Sequence, residues 1–364
     1  MSLNKNRVVV AMSGGVDSST CAYLLKEQGY EVIGITMQIW QDPSEEYIYR
    51  EGGCCSIGAV YDARKVAEKL KIPYYVLNFK ELFNEKVVNY FVDEYLVGRT
   101  PNPCIACNKY IKFEALLKKA MEIDAYYLAT GHYARIEYDG ESGRYLLKKG
   151  RDKTKDQSYA LYNLTQEQLK HLLLPLGKFT KSQIREIARK AGLPVAEKPD
   201  SQEICFVNTN YKDFLKEKAI ERIKPGPILD TSGKVLGQHE GIAFYTIGQR
   251  RGLGISAGKP LYVVKIDPKK NAIIVGEEKD LFTKEFQAEK INWIAFDSLT
   301  QKIRAYAKIR YNFEEKPAEI HPLESGNVKV VFDEPQKSVT PGQSVVFYDG
   351  DLVLGGGIIA KKGE

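Results

Sequence analysis

Seven residues near the N-terminus, SGGVDSS from Ser13 to Ser19, restrict the fold more than any other stretch of the chain. They follow an apolar run, RVVVAM (Arg7 to Met12), and lead into DSSTCAYLLKEQG, a helical pattern closed by Gly29. A strand, a glycine-rich turn and a helix N-terminus in that order form an anion site. The glycines let the backbone turn tightly so that its N–H groups converge, and the helix end adds partial positive charge. Ser13 and Ser18 supply hydroxyl donors, and Asp17 is placed to help hold Mg²⁺ against phosphate. The GxxxxGK[ST] spacing of a loop that transfers a terminal phosphate does not occur here.

The same grammar continues to about residue 130. EVIGITMQI, YYVLNF and AYYLAT read as further strands. SIGAVYDARKVAEKL, the stretch from Lys80 to about Val97, and NKYIKFEALLKKAM read as helices, the last beginning near Asn108. Unbroken apolar strands alternating with helices predict a doubly wound α/β domain whose parallel sheet is covered on both faces. A hairpin is expected over Arg135 to Leu147, then helices over Thr165 to His171 and Thr180 to Lys190. Past about Asn208, apart from a short helix near Tyr211 to Lys218, short strands punctuated by Gly and Pro take over. The expected organisation is therefore 1–208, a catalytic α/β domain; 209–283, a small β-rich domain; and 284–364, a β-barrel.

At 364 residues, 43% hydrophobic and 27% charged, the chain has ample core for two or three domains. No run reaches 18 apolar residues and the N-terminus runs directly into a strand, so neither a membrane partner nor a signal peptide is expected. Six cysteines in such a chain do not resemble a disulfide framework, and the expected location is cytoplasmic. The formal charge of +6 is matched by the stretch from Gly140 to Asp200 alone, with 13 Lys/Arg against 7 Asp/Glu. That stretch is either a solvated face or a surface for a polyanion.

The stretch TPNPCIACNKYIKF places Cys104 and Cys107 in a CxxC, which by itself suits half a zinc site, a redox pair or a reaction centre. Cys107 precedes a helix start with Lys109 and Lys112 close by, and both surroundings favour thiolate. Cys205 stands in PDSQEICFV, in apolar company. Cys54 and Cys55 are adjacent in GGCCS and do not form the second CxxC that a zinc site needs.

SGGVDS after a buried strand resembles the loop of the PP-loop ATP pyrophosphatases, which have an adenine nucleotide α-hydrolase-like fold. With PNPCxxCN, ATGHYA, KDQSY, DSQEICF and GQRRGLG in this order, nearly the whole chain resembles the bacterial tRNA-specific 2-thiouridylases. The resemblance implies ATP contacts at Ala11, Met12, Ser13, Gly14, Gly15, Val16, Asp17, Ser18, Met37 and Gly131. It implies adenylation of the C2 oxygen of the wobble uridine with pyrophosphate release, followed by sulfur transfer and loss of AMP. Cys205 would carry a persulfide and Cys107 would act as the nucleophile. The implied partners are the tRNA anticodon stem-loop and a sulfur-relay protein or cysteine desulfurase as persulfide donor.

Contacts to tRNA are implied at Asn102, Pro103, Cys104, His132, Lys155, Asp156, Gln157, Arg310, Tyr311 and Gln343. One departure stands out: many relatives carry Asp where this chain has Cys104. Cys104, Cys107 and Cys205 would together supply three thiolates, enough for an iron–sulfur cluster with one open position. Cluster-based thiolation, another PP-loop ligase acting on tRNA, and a non-catalytic RNA- or metal-binding module are the competing readings. In RAYAKIRYN, Arg304, Tyr306, Lys308 and Arg310 are expected on one strand face, suited to RNA or to solvent alike. GQRRGLG either fixes domain geometry or touches RNA.

Overall fold

The computed structural model describes residues 3–40, 57–200, 204–207, 210–256 and 258–360. They divide into two compact units, 1–87 with 104–207 and 351–353, and 88–103 with 208–350 and 354–364.

The first unit is built on a parallel sheet. Strands β1 (Asn4–Ala11), β2 (Glu31–Gln38), β3 (Tyr74–Asn78) and β4 (Ala125–Ala129) are joined by helical crossovers, among them α1 (Val16–Glu27) and α2 (Ile57–Leu70). A hairpin, β5 (Ala134–Asp139) and β6 (Arg144–Lys149), and a short strand β7 (Leu172–Leu173) follow. The sheet order is β3-β2-β1-β4-β7, all parallel where registered. Val8, Val9 and Val10 are fully buried, as expected for a strand covered on both faces. Val8, Val10 and Met12 pack with Cys21, Ala22 and Leu25 of α1, Ala63 and Val66 of α2, and Ile184 and Ala188 of a later helix, α3 (Lys181–Lys190).

Two helical stretches depart from the regular α pattern. Lys80–Phe83 and Asn89–Leu96 flank a π-helical turn, Asn84–Val88. Pro103–Ala106 is α-helical and runs into a ten-residue π-helix, Cys107–Leu116, before Leu117–Glu122 returns to α. The CxxC therefore lies within helix, where the sequence suggested a loop with a helix starting at Asn108. Proline at the first helical position explains the earlier start, since its missing N–H would have had no intrahelical partner there.

The second unit holds two β structures. Strands β8 (Gly226–Leu229), β9 (Val235–His239), β10 (Tyr262–Asp267) and β11 (Ala272–Gly276) form a sheet in the order β10-β11-β8-β9. Six strands then close into an antiparallel barrel, β12 (Phe282–Trp293), β15 (Val328–Lys337), β14 (Lys316–Pro322), β13 (Ile303–Lys308), β16 (Ser344–Asp349) and β17 (Leu352–Ile359), with β17 pairing back onto β12. Alternation fills it: Val328, Val330 and Phe332 point inward from β15, Ala318 and Ile320 from β14. Among the described residues no helix is long and apolar enough to cross a membrane.

Candidate active site

The reversal of strand order between β1 and β4 sets the site, because the turns after these two strands leave the same sheet edge. The turn after β1 is the Ser13–Gly15 loop. Gly14 has φ +69°, and a Cβ there would stand 2.1 Å from the carbonyl oxygen of Ala59. Only glycine lets the loop lie that close to the first turn of α2. Gly131, after β4, presses on α1: its Cβ would fall 2.8 Å from the Asp17 carbonyl carbon and 2.9 Å from Ser18 N.

Inside the loop, Ser13 N donates to Ser18 Oγ at 3.1 Å and the two hydroxyls are 3.2 Å apart. Gly15, the N-cap of α1, provides no side-chain cap. The helix N-terminus is thus left for a ligand that brings its own acceptors, which is what a phosphate does. Ala11, Met12 and Val16 are buried and present only backbone. Met37 sits half-buried within β2 beside Leu77.

Behind the loop stands a charge network. Asp17 accepts from Tyr133 Oη at 2.7 Å and, through both oxygens, from Lys181 Nζ at 2.7 and 2.8 Å. Lys181 Nζ also pairs with Asp200 at 2.6 Å, and Asp200 accepts from Lys155 at 3.0 Å and Arg185 at 3.2 Å. Burial raises the Asp200 pKa, but the ammonium groups of Lys181 and Lys155 outweigh it and hold the carboxyl below its ordinary value. Lys198 Nζ donates to the Gly14 carbonyl at 3.1 Å and to Asp62 at 2.6 Å. Four of the 13 Lys/Arg between Gly140 and Asp200 stand here: Lys155, Lys181, Arg185 and Lys198.

Of the ten residues expected at RNA, Lys155 and Gln157 are tied into this network, and Asp156 lies between them in sequence. Gln157 accepts from Tyr133 N through its side chain at 3.0 Å and donates its own N–H to Tyr133 O at 2.9 Å. Asp156 accepts from Gly150 N, Ser158 N and Ser158 Oγ, and so shapes the loop. Lys155, the most exposed of the three cations on Asp200, reaches outward.

His132 takes its place through a 2.7 Å hydrogen bond between Nδ1 and Thr130 Oγ1. Burial first, and the nearby Lys112 ammonium second, hold its pKa well below the ordinary value, so the ring is neutral. Lys112 Nζ donates to Asn108 Oδ1 at 3.0 Å and Asn108 Nδ2 to Ala160 O at 3.0 Å, which locks the turn that follows Cys107. Cys107 is buried, Cys104 is exposed and Cys205 is half-buried. Among the described residues no three His, Cys, Asp or Glu side chains gather as a metal-holding group, so the three-thiolate set is not assembled there. Cys54, Cys55 and the Ser201–Glu203 part of DSQEICF lie outside the described residues.

In the second unit the stretch before Asn102 is fixed by the barrel. Gln343 Nε2 donates to Thr100 O at 2.9 Å, and Thr100 N donates to Pro341 O at 2.9 Å. Gly342 has φ +89°, and a Cβ there would meet Thr100 N and Arg99 Cβ at 2.9 Å. Arg99 pairs with Glu94 at 2.8 Å and Glu289 at 2.9 Å. Arg304, Tyr306 and Lys308 share the outer face of β13, with Arg304 on Asp333 at 2.7 Å. Arg310 lies beyond the strand and turns to Thr340 Oγ1 and the carbonyl of Ser338, 3.2 Å away. Tyr311 is exposed. In GQRRGLG, the Gln249 amide accepts from Thr246 N at 3.2 Å and donates to Arg251 O at 3.0 Å, so the glutamine builds the turn and leaves Arg250 and Arg251 outside.

Sequence reasoning missed Tyr133, Lys181, Asp200 and Lys198 as members of the site. One signal for Lys181 was present. A lysine directly after the helix-capping Thr180 is a cation at the positive end of a helix, which needs a carboxylate to settle it.

A parallel sheet carrying an uncapped, glycine-bound anion loop at its strand-order reversal defines a nucleotide-binding α/β protein, here extended by a small β-sheet and a closed barrel. The chain matches three family profiles in succession: the tRNA methyl transferase HUP domain over residues 6–209, the tRNA methyl transferase PRC-barrel domain over 212–277, and the aminomethyltransferase beta-barrel domain over 283–359. It is 64% identical over 358 residues to tRNA-specific 2-thiouridylase MnmA 2 of Caldanaerobacter subterraneus subsp. tengcongensis, covering 98% of each chain. It is 57% identical over 363 residues to tRNA-specific 2-thiouridylase MnmA of Clostridioides difficile, covering all of both. The chain belongs to the tRNA-specific 2-thiouridylase family. A U34-tRNA thiolase NcsA from Methanococcus maripaludis with its [4Fe-4S] cluster is a more distant likeness, with a TM-score of 0.34 and 19% identity over 60% of this chain and 67% of that one, too slight to argue from.

Proposed function

We propose that the protein is an enzyme that thiolates C2 of the wobble uridine of tRNA at the expense of ATP. The observation that carries this reading is the uncapped anion loop Ser13–Ser18 in a chain of the 2-thiouridylase family. The N–H groups of that loop and the first turn of α1 receive the phosphates, and Gly131 packs directly against α1 at the same sheet edge. Mg²⁺ bound with ATP needs only one or two protein carboxylates, and Asp17 is the carboxylate at hand. The ion would neutralise phosphate charge as pyrophosphate leaves.

The uridine C2 oxygen attacks the α-phosphorus, pyrophosphate departs, and a carbonyl oxygen becomes a good leaving group as AMP. The terminal sulfur of a Cys205 persulfide then adds at C2 and AMP leaves, giving a C2–S–S–Cys205 linkage. Cys107 thiolate attacks the Cys205 sulfur, the S–S bond breaks toward the base, and the 2-thio group is released. The Cys107–Cys205 disulfide that results takes two electrons from an external dithiol before the next turnover. In this reading a sulfur-relay protein or cysteine desulfurase loads Cys205, and the RNA meets Asn102, Pro103, Cys104, His132, Lys155 and Tyr311. Segments 1–208, 209–283 and 284–364 divide the labour between ATP chemistry and RNA grip. A small thiol at Cys104 then suffices where relatives carry a carboxylate.

The test is thiolation of unmodified tRNA by protein purified without oxygen, with a persulfide donor, scoring 2-thiouridine, AMP, pyrophosphate and iron. Thiolated tRNA from iron-free protein is the expected result. Both C107S and C205S should form none, while C205S still releases pyrophosphate. Thiolation that persists in both variants would sink the cysteine roles, and thiolation that tracks iron content would favour the cluster route.

A further inference from the structure

We propose that Lys181 is a positioning residue for the ATP half-reaction. Its ammonium fixes the Asp17 carboxylate at the anion loop and ties it to Asp200, five residues before Cys205 in sequence. The inference rests on the activity proposed above.

Lys181 has no local reason to be a lysine. It is the first residue of α3, where the helix dipole disfavours a cation. The helix is already closed by Thr180 and Gln183 in a reciprocal cap, and the Lys181 backbone N–H goes to Asp152 at 3.0 Å. Its side chain is only 11% exposed, and an ammonium so placed requires carboxylates. Asp17 answers with both oxygens and Asp200 with a third.

Asp17 is in turn held from a second side. Tyr133 Oη donates to Oδ1, and Gln157 grips the Tyr133 peptide at both N–H and C=O. Two fixed donors leave the carboxylate one orientation, in the first turn of the helix that follows the loop. The group is balanced in charge: Lys155, Lys181 and Arg185 stand against Asp17, Asp152 and Asp200. An arriving phosphate therefore meets a carboxylate already neutralised and aimed. Without the ammonium, Asp17 would repel it.

The experiment compares wild type, K181M, K181R and Y133F in three assays. These are calorimetric binding of Mg·ATP without tRNA, kcat and KM for ATP in tRNA-dependent pyrophosphate release, and loading of Cys205 with labelled sulfur from a persulfide donor without ATP. K181M should bind Mg·ATP at least about tenfold more weakly and lose about 30-fold in kcat/KM. K181R should recover most of both, because it restores the charge, and sulfur loading should stay within about twofold of wild type. Y133F removes one hydroxyl from a core side chain and should weaken ATP binding a few-fold in the same direction. Wild-type ATP binding by K181M or by Y133F would overturn the proposal. So would a K181M that loses sulfur loading and ATP binding in equal measure, since that is general damage. A wild type that binds ATP but never thiolates tRNA would defeat the proposed activity, and the binding comparison would still decide Lys181.

Discussion

Two loops of the chain, Ser13–Ser18 and Thr100–Asn102, are secured by different means. Ser13–Ser18 is backed by ions: Lys181 on Asp17, and Lys198 on the loop's own carbonyl. The stretch Thr100–Asn102 is secured by the backbone of the barrel. Gln343 and Pro341 exchange neutral hydrogen bonds with it, and Gly342 fits against it without a side chain. A loop that must accept and release a highly charged ligand gains from charges that can change partners. Neutral hydrogen bonds of the second kind are disturbed by neither salt nor pH.

The comparison breaks most visibly at the glycines. G14A forces a Cβ against the Ala59 carbonyl at a left-handed φ, and pyrophosphate release should fall on the order of 100-fold, a loss of about 3 kcal/mol. G342A makes the corresponding insult at Thr100 and should lower thiolation by roughly tenfold while the KM for ATP holds. If G342A weakens ATP binding as much as thiolation, the two loops are not separately held. Q343A removes a neutral hydrogen bond of about 1 kcal/mol, so thiolation should drop about fivefold, with no change in its salt dependence.

The smallest effect is in acid stability. His132 keeps a neutral ring when folded, whereas the unfolded chain takes up the proton near its ordinary pKa of about 6.5. Its contribution is therefore complete above that pH and shrinks as pH falls below it. H132Q should flatten the difference between urea midpoints at pH 7 and pH 5.5, and an unchanged difference would count against the neutral ring. Asp200 acts further down. With its folded pKa held low, its contribution is present above about 3.9 and is lost as pH drops through the lowered value. D200N should remove that part of the acid transition.

The strands, the anion loop, the hairpin and the barrel were legible because each writes its pattern within a few residues. Period-two alternation, unbroken valines and paired glycines are local statements. The groups that secure the loops were not, since Lys181 lies 164 residues from Asp17 and Gln343 lies 243 from Thr100. KDQSY was read as an RNA contact from resemblance alone, and nothing local showed that Gln157 also grips Tyr133. Arg310 was placed on a strand face by alternation, but β13 ends at Lys308 and the arginine turns to the Thr340 loop. The start of the CxxC helix was misjudged because Pro103 reads as a loop residue, although a proline at the first helical position gives up no intrahelical bond.

That π stretch from Cys107 to Leu116 has an evolutionary consequence. Each wide turn holds one residue more than an α-turn needs, so the segment has the geometry of an insertion tolerated inside a helix. Removing a single codon between Asn108 and Leu116 would convert one wide turn to an ordinary α-turn and leave the rest of the stretch wide. The flanking segments Pro103–Ala106 and Leu117–Glu122 would keep their faces, because a wide turn absorbs its extra residue without rotating the helix on either side. The cysteine-bearing end of this helix can therefore hold its orientation while the turns behind it gain or lose a residue.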